Sequence, residues 1–169
     1  MKKAIFLFMG FLIICLTACG NAVSNSSEML EIIKEKENIS VEIAECGTVI
    51  DNGKVLIVGV TGENDKTHNY YAAQFLSEKE GKYQFEKIVS IYKIGWQIRL
   101  CRWQEGYVII CNNAEVEKMQ IVITKNNEEQ MKIIDVEKIP MVYYLDMSDI
   151  ESNYNIKYTF IDSHGNEVH

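Results

Sequence analysis

Histidine is scarce in the chain, and the spacings that mark the common catalytic and metal sites are absent. The chain holds three histidines, and neither an H-E-x-x-H nor a C-x-x-C spacing occurs to predict a zinc site. It also lacks a G-x-S-x-G sequence, a P-loop and a dinucleotide fingerprint. These absences argue against the common zinc, serine-nucleophile and nucleotide-dependent enzymes, and we expect no cofactor.

Positive charge is also in short supply. The 17 Lys and Arg residues face 24 Asp and Glu residues, for a formal net charge of −7. Proteins that bind nucleic acid neutralise phosphates with Lys and Arg, and no basic stripe interrupts the acidic excess here. We therefore exclude nucleic acid as a partner.

The main apolar run is too short to cross a membrane. It extends from Ala4 to Leu16, whereas a helix needs about 20 apolar residues to span a bilayer. Lys2 and Lys3 precede the run and small residues follow it, which is the layout of a secretory signal. We predict that residues 1–18 form a signal peptide. Its removal leaves 15 basic and 24 acidic side chains, a net charge of −9.

A cysteine lies where the apolar run gives way to small polar residues. The sequence Leu16-Thr17-Ala18-Cys19 resembles the lipobox of bacterial prolipoproteins: an aliphatic residue, a small residue, Gly or Ala, and then Cys. The resemblance implies that the Cys19 thiol receives a diacylglyceryl group and becomes the first residue of the mature chain. It also implies that the partner is the cell membrane, with the protein anchored on its extracytoplasmic face. Two acyl chains give a stable anchor where one is marginal.

The residues after Cys19 predict a tether and a short helix. Residues 19–26 are small and polar, as in flexible linkers. Residues 27–38 suit a helix that Ser26 or Ser27 caps, with Glu28 near the positive end of its dipole. The pattern leaves open whether this helix packs on the domain or only stiffens the tether.

The remainder, residues 39–169, predicts a single β-rich domain. Short β-prone runs alternate with turn signals every 8–12 residues or so, which favours antiparallel sheets over βαβ units. The predicted fold class is therefore mainly β: a sandwich or a partly open barrel of about ten short strands, preceded by one short helix. Asn52-Gly53 predicts a type I′ hairpin turn, which places Asp51 opposite Lys54 and Cys46 opposite Gly59.

Three cysteines remain after the signal and the anchor: Cys46, Cys101 and Cys111. Three cannot all pair with one another. Cys101 and Cys111 flank one hairpin but are offset from each other, which suits a disulfide poorly. We expect three reduced thiols packed as small apolar side chains. A disulfide and a reactive or metal-bound thiol are the alternatives.

Neighbouring aromatic residues in the strands suggest a binding surface. Successive side chains of a strand point to opposite faces, so one member of each adjacent pair should be exposed, where Tyr and Trp can bind a partner. The alternative is that these rings cover strand edges. Trp96 is expected to share a face with Ile98 and Leu100. The candidate partner surface consists of Trp96, Trp103, Tyr143 and Tyr144.

Acidic clusters raise the question of calcium. They comprise Asp146, Asp149 and Glu151, together with Glu63 and Asp65. Neither cluster has the spacing of an EF-hand loop. We therefore expect solvated turns and no metal site.

The mature part also resembles small, functionally uncharacterised β-domain lipoproteins of Gram-positive bacteria. The shared features are Gly95-Trp96 at the entry to a strand and the polar residues 162–167 after the last long strand. The resemblance covers residues 95–169 and carries no catalytic residues, so what it implies is limited to the fold and the location.

These features together predict an extracellular, lipid-anchored binding or accessory module without catalytic residues, whose partner is an unknown protein or small molecule. One alternative is a small exported hydrolase or thiol enzyme. The other is an inhibitor or chaperone of an exported enzyme that uses an exposed strand edge.

Overall fold

The computed structural model describes residues 22–62, 69–150 and 153–168. Within these residues the chain forms one α-helix, α1 (Ser26–Lys36), and twelve strands. The mainly β prediction with a preceding short helix is confirmed, and the strand number exceeds ten because β5 and β12 are only four and two residues long. The strands are β1 (Ala44–Asp51), β2 (Lys54–Thr61), β3 (Asn69–Ser77), β4 (Tyr83–Val89), β5 (Tyr92–Gly95), β6 (Ile98–Trp103), β7 (Gly106–Cys111), β8 (Lys118–Lys125), β9 (Glu128–Asp135), β10 (Met141–Asp146), β11 (Tyr154–Ile161) and β12 (Glu167–Val168).

The strands form three antiparallel sheets of four strands each. Sheet 1 has the order β1-β2-β3-β4, sheet 2 the order β10-β7-β6-β5, and sheet 3 the order β12-β11-β8-β9. The described strands are stacked as separate open sheets, as in a β-sandwich, which is the first of the two predicted architectures.

Three apolar clusters hold the layers together in the order α1, sheet 1, sheet 2, sheet 3. One joins α1 to sheet 1 and includes Ile33 and Phe75. The second joins sheets 1 and 2, and the third joins sheets 2 and 3. Because sheets 1 and 2 are covered on both faces, β2 and β7 are almost continuously buried instead of alternating.

The β1–β2 hairpin has the predicted turn but not the whole predicted register. Asn52 and Gly53 have φ angles of 48° and 71°, as a type I′ turn requires, and Asp51 pairs with Lys54. Farther from the turn, Glu45 pairs with Gly59 because the register shifts between Glu45 and Gly47. The predicted pairing of Cys46 with Gly59 is therefore wrong: Cys46 is the extra residue of a β-bulge.

The helix packs on the domain, which settles the question that the sequence left open. Its buried residues Met29, Leu30 and Ile33 contact sheet 1. The cap is Asn25, whose side chain accepts a hydrogen bond from the backbone N–H of Glu28, so the prediction of a serine cap is wrong. No helix in the described part of the chain is long and apolar enough to cross a membrane.

Candidate functional site

The proposed lipidation residue, Cys19, lies outside the described residues, as do residues 1–18 of the expected signal peptide. The described chain begins close behind Cys19, and Val23 is already part of the fold. Its backbone exchanges two hydrogen bonds with Tyr83 at the free edge of β4, with N···O distances of 2.8 and 2.7 Å. The predicted flexible tether over residues 19–26 is thus wrong from Val23 onward, because Val23 is buried and bridged to sheet 1.

The four aromatic residues of the candidate partner surface do not form one surface. Trp103 is only 2% exposed and lies between sheets 1 and 2, so its assignment to an exposed surface is wrong. Its ring contacts that of Tyr144 edge to face, with centroids 5.4 Å apart. Burial between the sheets raises the pKa of Tyr144 to about 12. Tyr143 points to the opposite side of β10 and packs on the cluster between sheets 2 and 3.

Trp96 is the member of the set that faces solvent. It is 45% exposed and lies in the turn between β5 and β6, not within a strand. It therefore does not share a face with Ile98 and Leu100, which pack toward sheet 3. The ammonium group of Lys93 lies 6.0 Å from the centroid of the Trp96 ring, within the range of a cation–π contact.

An open cavity of about 550 Å³ lies beside the β6–β7 turn. Two phenols form part of its wall, with the hydroxyl oxygens of Tyr107 and Tyr154 3.4 Å apart. The hydrogen bond to Tyr107 raises the pKa of Tyr154. The described lining residues are Arg102, Gln104, Glu105, Gly106, Tyr107, Met147, Ser148, Ile150, Asn153 and Tyr154.

The cavity offers opposite charges together with neutral hydrogen-bonding groups. Arg102 and Glu105 supply a guanidinium and a carboxylate, and Gln104 and Asn153 supply amides that both donate and accept. Such a wall suits a small polar molecule that carries both charges. Sequence reasoning missed this site, because its residues come from segments far apart in the chain that meet only when sheets 2 and 3 stack.

The three thiols are free and buried, as predicted. Burial raises the pKa of the Cys46 and Cys101 thiols to about 12, and it raises the pKa of Cys111 as well. Since the thiolate is the nucleophile and the metal ligand, these positions are poorly suited to thiol chemistry. Cys101 pairs with Val108 and Cys111 with Ile98, which confirms the predicted offset.

The acidic residues of the suspected calcium clusters are only partly described. Glu63, Asp65 and Glu151 lie outside the described residues. Asp146 accepts a hydrogen bond from the backbone N–H of Ser148 and so stabilises a turn. Among the residues with described positions, no three His, Cys, Asp or Glu side chains gather as metal ligands would.

The polar residues 162–167 form a loop organised by one carboxylate. The side chain of Asp162 accepts hydrogen bonds from the backbone N–H groups of His164 and Asn166 and from the Asn166 amide. These bonds, the Asn166 amide foremost, lower the pKa of Asp162. The hydrogen bonds to the Asp162 carboxylate therefore account for the polar residues of this loop.

The fold and cavity define a stacked β-sheet protein with a small polar pocket. Comparison with known proteins adds no closer assignment, because no family model, no curated protein and no solved structure matches the chain.

Proposed function

We propose that the chain is a lipid-anchored, extracytoplasmic binding module without catalytic activity. The observation that carries the proposal is the sequence Leu16-Thr17-Ala18-Cys19 directly after a basic and then apolar segment. Every position fits the lipobox pattern, and cysteine is required because the acyl-glyceryl acceptor is a nucleophilic sulfur. The position of Val23 is compatible with the proposal, since Val23 lies four residues after Cys19 and is bridged to sheet 1, so that an anchor on Cys19 would lie close to the folded body.

The buried thiols favour binding over thiol catalysis. A thiol enzyme needs an accessible sulfur with a lowered pKa, whereas Cys46, Cys101 and Cys111 are buried with raised pKa values.

The proposal places the ligand in the cavity beside the β6–β7 turn. The ligand class that fits its wall is a small zwitterion, such as an amino acid or a short peptide, with its carboxylate on Arg102 and its ammonium group on Glu105.

Metabolic labelling with a fatty acid tests the anchor. The labelled wild-type protein should fractionate with membranes, and the variant Cys19→Ala should carry no label. Cys15→Ala is the matched control, because Cys15 lies in the apolar segment outside the lipobox and its loss should leave labelling unchanged. An unlabelled wild-type protein, or equal labelling of the Cys19 variant, would overturn the proposal.

A titration with dialanine tests the ligand class. Amide resonances of Gly106 and Tyr154 should shift in nuclear magnetic resonance spectra as the dipeptide is added, and Arg102→Ala should abolish the shifts. N-acetyl-dialanine amide is the matched control, because it keeps the shape and lacks both charges. Equal shifts with both compounds, or none with dialanine, would rule out recognition of a zwitterion.

A second candidate function, the inhibitor or chaperone, is favoured by the free edge of sheet 3. Strand β9 is the outermost strand of that sheet and is exposed at seven of its eight residues. A strand of an exported protein could add to this edge. A photo-crosslinking residue at Gln130 should then capture one protein on intact cells, and the same residue at Asn166 should not.

A further inference from the structure

Strands β4 and β5 follow one another along one side of the molecule. β4 is the outermost strand of sheet 1 and β5 the outermost strand of sheet 2, with two residues between them. Residues 87–90 and Tyr92 line one cavity with residues 102–104, and Tyr92 pairs with Leu100. The chain therefore runs along β6 from its end toward its start. We call residues 82–96 the β4–β5 edge.

The proposed anchor meets the body at this same edge. Val23 bridges to Tyr83 on the free side of β4, and Cys19 precedes Val23 by four residues. Four residues span at most about 14 Å when fully extended. A diacylglyceryl group on Cys19 would therefore hold the β4–β5 edge close to the bilayer. The β-bridge between Val23 and Tyr83 is antiparallel.

The far part of the edge carries exposed apolar side chains of the kind found at membrane interfaces. Tyr92 is 60% exposed, Ile94 37% and Trp96 45%, although all three lie within five residues of one another. Tyr and Trp combine an apolar ring with a polar group and favour the headgroup level of a bilayer. Lys93 lies beside the Trp96 ring, and a lysine can bury its stem while its ammonium group stays among headgroups.

The charge of the edge is opposite to that of the whole protein. Residues 82–96 contain the lysines Lys82, Lys87 and Lys93 and one acidic residue, Glu86, which gives a net charge of +2. The whole chain has a net charge of −7. A basic strip on an acidic protein favours one orientation at an anionic lipid surface. The rest of the protein surface is acidic, and anionic lipid repels it.

We propose that the β4–β5 edge lies along the bilayer surface, with Tyr92, Ile94 and Trp96 in the headgroup layer as a second attachment beside the lipid. This proposal rests on the proposed lipid anchor. Tyr83 and Tyr92 are nine residues apart, a separation of at most about 30 Å if the chain between them were fully extended. Contact by both the anchor and Trp96 therefore requires the edge to lie flat on the membrane.

Quenching of tryptophan fluorescence tests this orientation on the full, lipidated protein. The chain has two tryptophans, Trp96 and the buried Trp103. The protein is reconstituted into vesicles of phosphatidylcholine and phosphatidylglycerol, with and without bromine on the acyl chains. Bromine should quench part of the wild-type emission, and the Trp96→Phe variant should lose that quenched component. Acrylamide in the water should quench Trp96 weakly.

The double variant Met131→Ser/Ile133→Ser is the matched control, because these side chains are 60% and 64% exposed but lie on β9. It should keep the wild-type quenching. Fatty-acid labelling is checked first on each sample, so an unlabelled chain counts against the anchor and not against the orientation. A labelled, membrane-bound protein overturns the orientation if acrylamide quenches Trp96 strongly and brominated lipid does not. Protection from both quenchers also overturns it, because a second copy of the chain and not lipid then covers the edge.

Discussion

The indole N–H of Trp103 donates a hydrogen bond of 2.7 Å to the side-chain oxygen of Gln74, inside the interface between sheets 1 and 2. Both side chains are buried. The amide nitrogen of Gln74 donates in turn to the Glu86 carboxylate at the edge of sheet 1. A polar chain thus links the two sheets through an apolar layer, with each buried polar group satisfied by the next.

Replacing Trp103 with phenylalanine should destabilise the protein. The variant removes the donor and leaves the Gln74 oxygen buried without it, at a cost of about 1–3 kcal/mol. The midpoint of urea unfolding should fall accordingly. Trp96→Phe is the control and should change the free energy of unfolding by less than about 0.5 kcal/mol, because Trp96 is a surface residue. Equal losses in the two variants would contradict this account of Trp103.

The effects of replacing Trp103 and Gln74 on the free energy of unfolding should also be coupled. In the double variant Trp103→Phe/Gln74→Leu no buried oxygen is left without its donor, so the combined loss should be smaller than the sum of the single losses. For residues in direct contact, the difference should be at least about 0.5 kcal/mol. Additive losses would mean that the hydrogen bond contributes nothing specific.

Removing the helix cap should weaken α1. Asn25→Ala deletes the side-chain oxygen that accepts from the N–H of Glu28, and lost caps cost about 1 kcal/mol. Ser27→Ala is the matched control, because Ser27 lies within the helix and caps nothing. Urea unfolding should show the loss for the first variant only. A larger loss for Ser27→Ala would restore the serine cap that the sequence suggested.

A methyl group at Gly106 should not fit. A Cβ there would come within 2.3 Å of the backbone oxygen of Leu145 and within 2.7 Å of the Tyr144 ring. Gly106→Ala should therefore cost about 1–3 kcal/mol through overpacking. At Gly95 the nearest atom would be 3.3 Å away, at the flexible tip of Ile98. Thermal unfolding should show Gly95→Ala as the milder of the two, and the reverse order would refute the packing argument.

The buried thiols should make the protein less stable at high pH. Burial raises the pKa of Cys46 and Cys101 from 9.0 to about 12, so the unfolded chain loses these protons at a pH where the folded chain keeps them. The free energy of unfolding should therefore be insensitive to these groups below pH 9 and fall as the pH rises from 9 toward 12. Urea unfolding measured across this interval checks the sign.

Cys46→Ala separates the thiol effect from other alkaline effects. It should reduce the fall in stability above pH 9 without abolishing it, because Cys101 titrates in the same direction. In the native wild type, an aromatic disulfide reagent should react with the three thiols far more slowly than in urea. Fast reaction of the folded protein would contradict their burial and reopen the thiol-enzyme alternative.

Local patterns predicted the features that depend on neighbours in the chain. Asn52-Gly53 indicated its turn because both positions need positive φ angles. The apolar alternation of Met119, Ile121 and Ile123 indicated the buried face of β8, since one face of sheet 3 stays in solvent. The same alternation could not say which side of β6 or β10 is exposed, because both faces of sheet 2 are covered.

The sequence by itself determined one short helix and a series of antiparallel strands, since these follow from residue type and spacing, and it predicts a signal peptide over residues 1–18. Only the tertiary structure decided that Trp103 is buried, that Cys46 lies in a bulge and that Val23 joins sheet 1. It also brought Arg102, Tyr107 and Tyr154 to one cavity. Those outcomes depend on how the sheets stack, and stacking is set by contacts between residues far apart in the chain.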